Sequence, residues 1–218
     1  MNVKLANFQW TTFVIVLVTF FYSSSMYADV QEDFFWAIEK GNSTQAAEWL
    51  KKGANIDAPN AEGYTPLMVA AQTSNLHMAQ FLVEAGANPN IRNRYGETAI
   101  MLASYHGQTD MVRLLHLKGA DIHHDGWNPL LYAAFNGHLD TIRWLLDSNA
   151  NINATSDNGT TPLMMAVRGN HRDAVALLLS KGADPAIKNE QGDNALIWAE
   201  KRDHQNIVKL LKSQSQSK

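Results

Sequence analysis

The chain has 218 residues, of which 45% are hydrophobic and 18% are charged, and its net charge is -3. This is the composition of an ordinary globular protein, so it excludes the disordered and fibrous classes. The lack of a basic excess argues against a nucleic-acid partner, and the absence of cysteine excludes a disulfide framework.

The first 28 residues differ in composition from the rest of the chain. Lys4 is their only charged residue, an apolar segment follows at 13–21, and three serines precede the small residue Ala28. A basic start, a short apolar segment and a small residue at the exit are typical of a secretory signal peptide. We therefore predict a signal peptide over these residues, cleaved after Ala28 or, alternatively, after Ser25.

An uncleaved membrane anchor is the alternative for the same segment. Residues 5–28 carry no charge and are long enough to span a bilayer. Polar residues dilute the segment, which favours cleavage, and no stable membrane span is then expected. An exported chain without cysteine suits the bacterial periplasm. The predicted location is the periplasm, with an extracellular location or delivery into a host cell as alternatives.

The region after the signal peptide begins with a pair of short helices. Residues 29–33 are a polar lead-in, and helical spacing of apolar residues predicts helices over 34–40 and 43–52, with a break at Gly41. This pair lacks the opening that later units share, so we predict that it is a capping unit.

Glycine residues mark a repeat along the rest of the chain. They recur at intervals of 33, 30, 33 and 33 residues, at Gly63, Gly96, Gly126, Gly159 and Gly192. A Gly-Ala pair recurs at Gly53, Gly86, Gly119 and Gly182, and Asn149-Ala150 fills the remaining place. A fixed period of this size indicates stacked helical units rather than one globular core.

Each unit opens with a helix-capping residue followed by proline or alanine. Threonine and asparagine side chains accept hydrogen bonds from the free backbone N–H groups at a helix start, and proline fits the first helical position. The second helix of the first such unit is predicted near Leu76–Glu84. The openings are Thr65-Pro66-Leu67, Thr98-Ala99-Ile100, Asn128-Pro129-Leu130, Thr161-Pro162-Leu163 and Asn194-Ala195-Leu196.

One connector is shorter than the others. Gly119 and Gly126 are seven residues apart, whereas the corresponding glycines of the sibling connectors are ten apart. The segment 121–125, with His123 and His124, should therefore be a stunted finger that leaves a notch in the row of connectors.

These features together resemble the ankyrin repeat family: Gly-x-Thr-Pro-Leu, Ala-Ala, Gly-His, a Leu-Leu pair and Gly-Ala-Asp/Asn. The resemblance covers residues 31–213 and implies an all-α ankyrin-repeat solenoid of about six helix-turn-helix units with short finger-like connectors. The implied organisation is a signal peptide at 1–28, a capping repeat at 29–59, repeats at 60–92, 93–122 (with the shortened connector), 123–155, 156–188 and 189–213, and a polar tail at 214–218.

The resemblance implies a non-enzymatic scaffold, without a cofactor, that recognises a partner protein through its concave face and finger tips. Large aromatic residues dominate binding hot spots. Tyr132 lies beside the helix–helix seam, and the sequence favours neither exposure nor burial of its side chain. Glu97 is among the further exposed candidates. Carried over position by position, the candidate protein-binding residues are Tyr95, Tyr105, His106, His124, Trp127, Phe135 and Arg168.

Histidines depart from the family pattern. The histidine that usually follows Thr-Pro-Leu is replaced by apolar residues, so this position should be packed in the core. Histidines that recur before the second helices, at His138, His171 and His204, are expected to have a structural role. The replacements are Met68, Met101, Leu131, Met164 and Ile197.

A metal-dependent or protective accessory protein built on His123 and His124 is an alternative function. A metal site needs three or four convergent ligands, and adjacent histidines in a turn usually point apart, so no metal site is predicted. The sequence has no Gly-x-Ser-x-Gly, phosphate-loop or His-Glu-x-x-His motif, so no catalytic residue is predicted either. The identity of the protein partner stays open.

Overall fold

The computed structural model describes residues 30–215, with side chains through residue 213. The predicted signal peptide and its cleavage sites lie outside the described residues. Within 30–215 the chain forms twelve helices and no strand. None of the helices in this range combines the length and the apolar character that crossing a bilayer requires.

The helices come in pairs, and in every pair after the first a seven-residue helix precedes a longer one. The second helix predicted near Leu76–Glu84 has these bounds in the structure. The helices are α1 (30–39), α2 (Ser43–Lys51), α3 (Pro66–Gln72), α4 (Leu76–Glu84), α5 (Ala99–Tyr105), α6 (Thr109–Leu117), α7 (Pro129–Phe135), α8 (Leu139–Asp147), α9 (Pro162–Arg168), α10 (Arg172–Ser180), α11 (Ala195–Lys201) and α12 (Gln205–Ser215).

Both ends of the described chain are more helical than the sequence predicts. The prediction of a polar lead-in before the first helix is wrong from residue 30 onward, because α1 already begins there. The Gln31 amide explains this: its Nε2 donates to the Asn55 carbonyl at 3.1 Å, and its Oε1 accepts from the Asn55 N–H at 2.9 Å. These two bonds tie the first turns of α1 to the first connector. At the other end, α12 continues to Ser215, into the predicted tail.

The helices form two layers. The first helices α3, α5, α7, α9 and α11 pack side by side, and the second helices α4, α6, α8, α10 and α12 pack behind them. Alanine occupies one position of every first helix in this row, and each of these alanines is fully buried. A methyl group at a helix contact permits a short interaxial distance. The alanines are Ala70, Ala103, Ala133, Ala166 and Ala199.

Most of the predicted helix caps are formed. Thr65 and Thr161 each accept a backbone N–H at 3.3 Å, Asn194 accepts one at 3.0 Å, and Asn128 accepts two at 3.1 Å. Thr98 differs, because its hydroxyl is buried without a hydrogen-bond partner in the described part of the chain. Asparagine therefore replaces threonine as a cap without loss of the bond.

Polar links between neighbouring units come from the residue before the second helix. An imidazole nitrogen of His138 donates to the Tyr105 carbonyl at 2.8 Å, and one of His204 donates to the Val167 carbonyl at 2.9 Å. The structural role predicted for these two histidines is confirmed. The apolar replacements after Thr-Pro-Leu are fully buried as predicted, except that Ile197 is half-buried.

Candidate functional site

The connector before α5 holds a carboxylate in a fixed position. Asn93 is buried, and its side-chain oxygen accepts the backbone N–H groups of Tyr95 and Glu97, both at 2.9 Å. Its amide nitrogen donates to Glu97 Oε2 at 2.8 Å. This side-chain-to-backbone turn leaves Tyr95 at the tip with 69% of its surface exposed. Tyr95 thus projects outward while Glu97 points back toward the helices.

The same asparagine turn recurs in other connectors. Asn60 accepts the N–H groups of Glu62 and Tyr64, and Asn189 accepts those of Gln191 and Asp193. This turn is not among the sequence-based predictions, although an Asn-x-x-Gly pattern at 60, 93 and 189 is visible in the sequence. In the shortened connector the corresponding position is occupied by histidine, at residue 123.

Tyr132, in the middle of α7, joins the aromatic residues of two units. Its hydroxyl donates to Glu97 Oε1 at 2.9 Å. Its ring centroid lies 5.1 Å from that of Trp127 and 6.1 Å from that of Tyr105, and Tyr105 in turn packs edge-on against His106 at 5.1 Å. Glu97, Tyr105, His106, Trp127 and Tyr132 therefore form one group of contacting side chains, here called the aromatic cluster.

The aromatic cluster is open to solvent on the side of the first helices. Tyr105 is 40% exposed and Trp127 is 38% exposed, so the exposure predicted for these two residues is confirmed. His106 is also exposed, whereas Tyr132 and Glu97 are half-buried between them. The pKa of Tyr132 is raised above its usual value, mainly by burial and secondly by the Glu97 carboxylate. The phenol therefore stays a neutral donor to Glu97 at physiological pH.

Two more candidate residues extend this surface by one unit. Phe135, at the end of α7, is half-buried, and the guanidinium carbon of Arg168, at the end of α9, lies 5.4 Å from its ring centroid. This is a cation–π contact, and Arg168 itself remains exposed. The Arg168 guanidinium thus covers part of the Phe135 ring.

The side chain of His124 is buried, contrary to the exposure predicted from the sequence. The prediction of an exposed imidazole is wrong, because only 7% of the side chain is exposed. An Arg92 Nη nitrogen donates to His124 Nδ1 at 2.8 Å, and the Nε2 atom is buried without a partner in the described residues. Burial lowers the pKa of His124, partly offset by the Asp121 carboxylate. In the short connector the imidazole therefore packs against Arg92 of the preceding connector and is shielded from solvent.

A recess lies beside the shortened connector, where the sequence predicts a notch. Its volume is about 320 Å³, and it lies between residues 122–125 and the next connector at 150–155. His123 is exposed at its rim. Among residues 30–213 no three His, Asp or Glu side chains are grouped so that they could hold a metal ion. The adjacent histidines therefore give the metal-dependent alternative no geometric support.

A family model described as "Ankyrin repeats (3 copies)" matches the chain at residues 34–125, 80–156, 114–189 and 130–218. Mouse Ankyrin repeat and SAM domain-containing protein 6 is 31% identical over 128 residues, which are 58% of this chain and 11% of that protein. Human Protein phosphatase 1 regulatory subunit 27 is 41% identical over 56 residues, which are 24% of this chain and 36% of that protein. The chain thus spans a small part of the length of these relatives.

Solved structures match over most of the chain. The ankyrin repeat domain of Bcl-3, a member of the IkappaB protein family, is 29% identical with a TM-score of 0.74, and the match covers 84% of this chain and 85% of that one. An ankyrin repeat domain from Acinetobacter baumannii AYE is 31% identical with a TM-score of 0.73, and the match covers 84% of this chain and 97% of that one.

Proposed function

Since this chain belongs to the ankyrin-repeat family, whose repeats are scaffolds for protein–protein interaction, we propose that it recognises a partner protein through the aromatic cluster. The observation that carries this proposal is the exposure of Trp127 and Tyr105 around a carboxylate that Asn93 and Tyr132 hold in place. Exposed tryptophan and tyrosine are the residues most enriched at binding hot spots.

The aromatic cluster is suited to binding because little of it must be ordered when a partner arrives. Tyr132 is fixed by its hydrogen bond to Glu97 and by ring contacts on two sides. Tyr105 is held between Tyr132 and His106. Immobilising free side chains costs about 0.5–1.5 kcal/mol each on association, and these contacts reduce that cost before binding. Tyr95 at the finger tip and Arg168 on α9 would make peripheral contacts.

A non-enzymatic role is part of the proposal. Substrate turnover would require a nucleophile with a base, or a metal, in a sheltered cleft, and the aromatic cluster offers neither. The metal-dependent accessory role remains the alternative of a different class. It would depend on His123 and His124, and loss of a bound metal from the double alanine variant at these two positions is the observation that would support it.

We also propose that the chain is exported to the periplasm. The apolar segment after Lys4 and the small residue at Ala28 support export. Fractionation of the producing cells should place the protein in the periplasmic fraction, shortened by the signal peptide. Recovery only from the medium or only from inside host cells would contradict this location and favour the alternatives of secretion or host delivery.

The binding proposal is tested by affinity capture with the tagged full chain. Trp127→Ala, alone and with Tyr105→Ala, should reduce recovery of a specific partner by at least about tenfold, because hot-spot truncation costs about 2 kcal/mol or more. Trp36→Ala is the matched control, since Trp36 is an exposed tryptophan of α1 outside the aromatic cluster. Equal recovery by the wild type and the double variant would refute the proposal.

A further inference from the structure

Five aromatic rings in the described part of the chain have a lysine or arginine of the same chain over them. Trp127 and Tyr105 differ, because no lysine or arginine of the described residues lies over either ring, although both are substantially exposed. The pairs that do exist, with the distance from cation to ring centroid, are Lys40–Trp36 (6.0 Å), Lys52–Trp49 (3.8 Å), Arg94–Tyr95 (5.9 Å), Arg168–Phe135 (5.4 Å) and Arg202–Trp198 (4.8 Å).

Glu97 is also without a cation. It takes part in none of the ion pairs formed within the described part of the chain. Its two oxygens each accept one hydrogen bond, from Asn93 and from Tyr132. A carboxylate has about four lone-pair positions, so one acceptor direction remains on each oxygen. Glu97 is half-buried, so part of the residue remains accessible to solvent.

The geometry points to an arginine side chain of the partner protein as the occupant of the aromatic cluster, paired with Glu97 and stacked on Trp127 or Tyr105. The inference rests on the proposed function and names the partner's chemistry at the same site. A guanidinium has paired N–H donors at the spacing of two carboxylate oxygens, and its plane stacks on aromatic rings. One free acceptor direction on each Glu97 oxygen matches this two-pronged donor.

Lysine fits the same site less well. An ammonium group is a compact, strongly hydrated charge that cannot bridge the two oxygens while stacking on a ring. The neighbouring positions also carry positive charge, since Arg94 covers Tyr95 and Arg168 covers Phe135. A uniformly basic surface would be repelled by these two groups. The expected ligand is therefore a segment with one arginine that is not flanked by further basic residues.

Glu97→Gln removes the negative charge and preserves the local contacts. Asn93 can still donate to the amide oxygen, and the amide nitrogen can donate to the Tyr132 hydroxyl, which reverses its role in that bond. Trp127→Ala removes a stacking surface, and Trp36→Ala again serves as the control. These three full-length variants separate the contribution of charge from that of the aromatic surface.

The test is selection of a displayed library of random linear peptides on the full chain, followed by affinity measurements on the enriched peptides. We expect Trp127-dependent peptides that share one arginine. Glu97→Gln should weaken their binding roughly 10- to 100-fold, the range for a hydrogen bond to a charged group. Replacing the peptide arginine by glutamine should weaken binding similarly, and lysine should restore it only in part. Trp36→Ala should bind like the wild type.

The outcomes separate this inference from the proposed function. Enriched peptides that depend on Trp127 but share no arginine would overturn the inference and leave the proposed function standing. Arginine peptides that bind Glu97→Gln as well as the wild type would overturn the pairing with Glu97, and equal binding of lysine would overturn the choice of arginine. Failure to enrich any peptide that depends on Trp127 would count against the proposed function itself.

Discussion

The hydrogen bond from Tyr132 to Glu97 fixes the aromatic cluster, and its strength can be measured. Tyr132→Phe removes the hydroxyl that lies 2.9 Å from Glu97 Oε1 and leaves the ring contacts with Trp127 and Tyr105 in place. The free energy of unfolding should fall, because Glu97 then keeps only the bond from Asn93 within the described residues. The change tests whether the binding surface is held in shape before any partner arrives.

A double-mutant cycle isolates this bond from the other contacts of the two residues. A hydrogen bond to a charged group contributes about 1.5–3 kcal/mol when buried. Glu97 is half-buried, and water replaces part of the lost interaction. The expected coupling between Tyr132→Phe and Glu97→Ala is therefore about 1–1.5 kcal/mol. With Glu97→Gln in place of alanine it should fall to about half, because a neutral hydrogen bond is about half as strong as a charged one.

The assay is urea unfolding at neutral pH, followed by far-ultraviolet circular dichroism and by tryptophan fluorescence. The two probes should give coincident transitions, and the m values of the variants should match that of the wild type. The effects of mutations at independent sites add to within about 0.3 kcal/mol. A coupling energy smaller than this would mean that the two side chains do not interact measurably. Such a result would refute the claim that Tyr132 and Glu97 preorganise the aromatic cluster.

Three further perturbations test other parts of the structure. Leu131→Ala empties a fully buried site and should destabilise by about 3 kcal/mol in urea, whereas Leu117→Ala at an 80% exposed site should change stability by less than about 0.5 kcal/mol. Gly182→Ala should cost about 1–2 kcal/mol, since φ is +94° and no atom crowds the new methyl group; an unchanged urea midpoint would contradict it. Burial lowers the pKa of His124, so below its ordinary value of 6.5 the unfolded chain takes up a proton that the folded chain resists. The melting temperature of the wild type should therefore fall more between pH 7 and 5 than that of His124→Asn. Parallel curves of melting temperature against pH for the two proteins would contradict this.

Local signals explain how much of the fold the sequence predicts. The cap at Thr65 and the break at Gly86 both act within a few residues, so the start of α3 and the end of α4 follow from the chain beside them. The same period places every later pair of helices. The lead-in before residue 34 was missed because its helical state depends on Gln31 bonding to Asn55, which lies outside the repeat pattern.

The candidate site is predicted less completely because its chemistry depends on contacts between units. The exposure of Tyr105 follows from its repeat position, whereas that of Trp127 does not, because Thr160 at the matching position of the next unit is fully buried. The burial of His124 depends on Arg92, 32 residues earlier, and the role of Tyr132 depends on Glu97, 35 residues earlier. Neither pair is encoded by the repeat, because the matching positions of other units carry different side chains.

The links between units have a mechanical consequence. The hydrogen bonds from His138 to Tyr105 and from His204 to Val167 span 33 and 37 residues, so each unit is held only by its neighbours. Pulled from its ends, the chain should lengthen in steps, each releasing one repeat. At about 3.3–3.6 Å per extended residue, a 33-residue repeat would add roughly 110 Å of contour length. The repeat that contains the shortened connector would add roughly 100 Å, and one shorter step would mark its place in a force–extension trace.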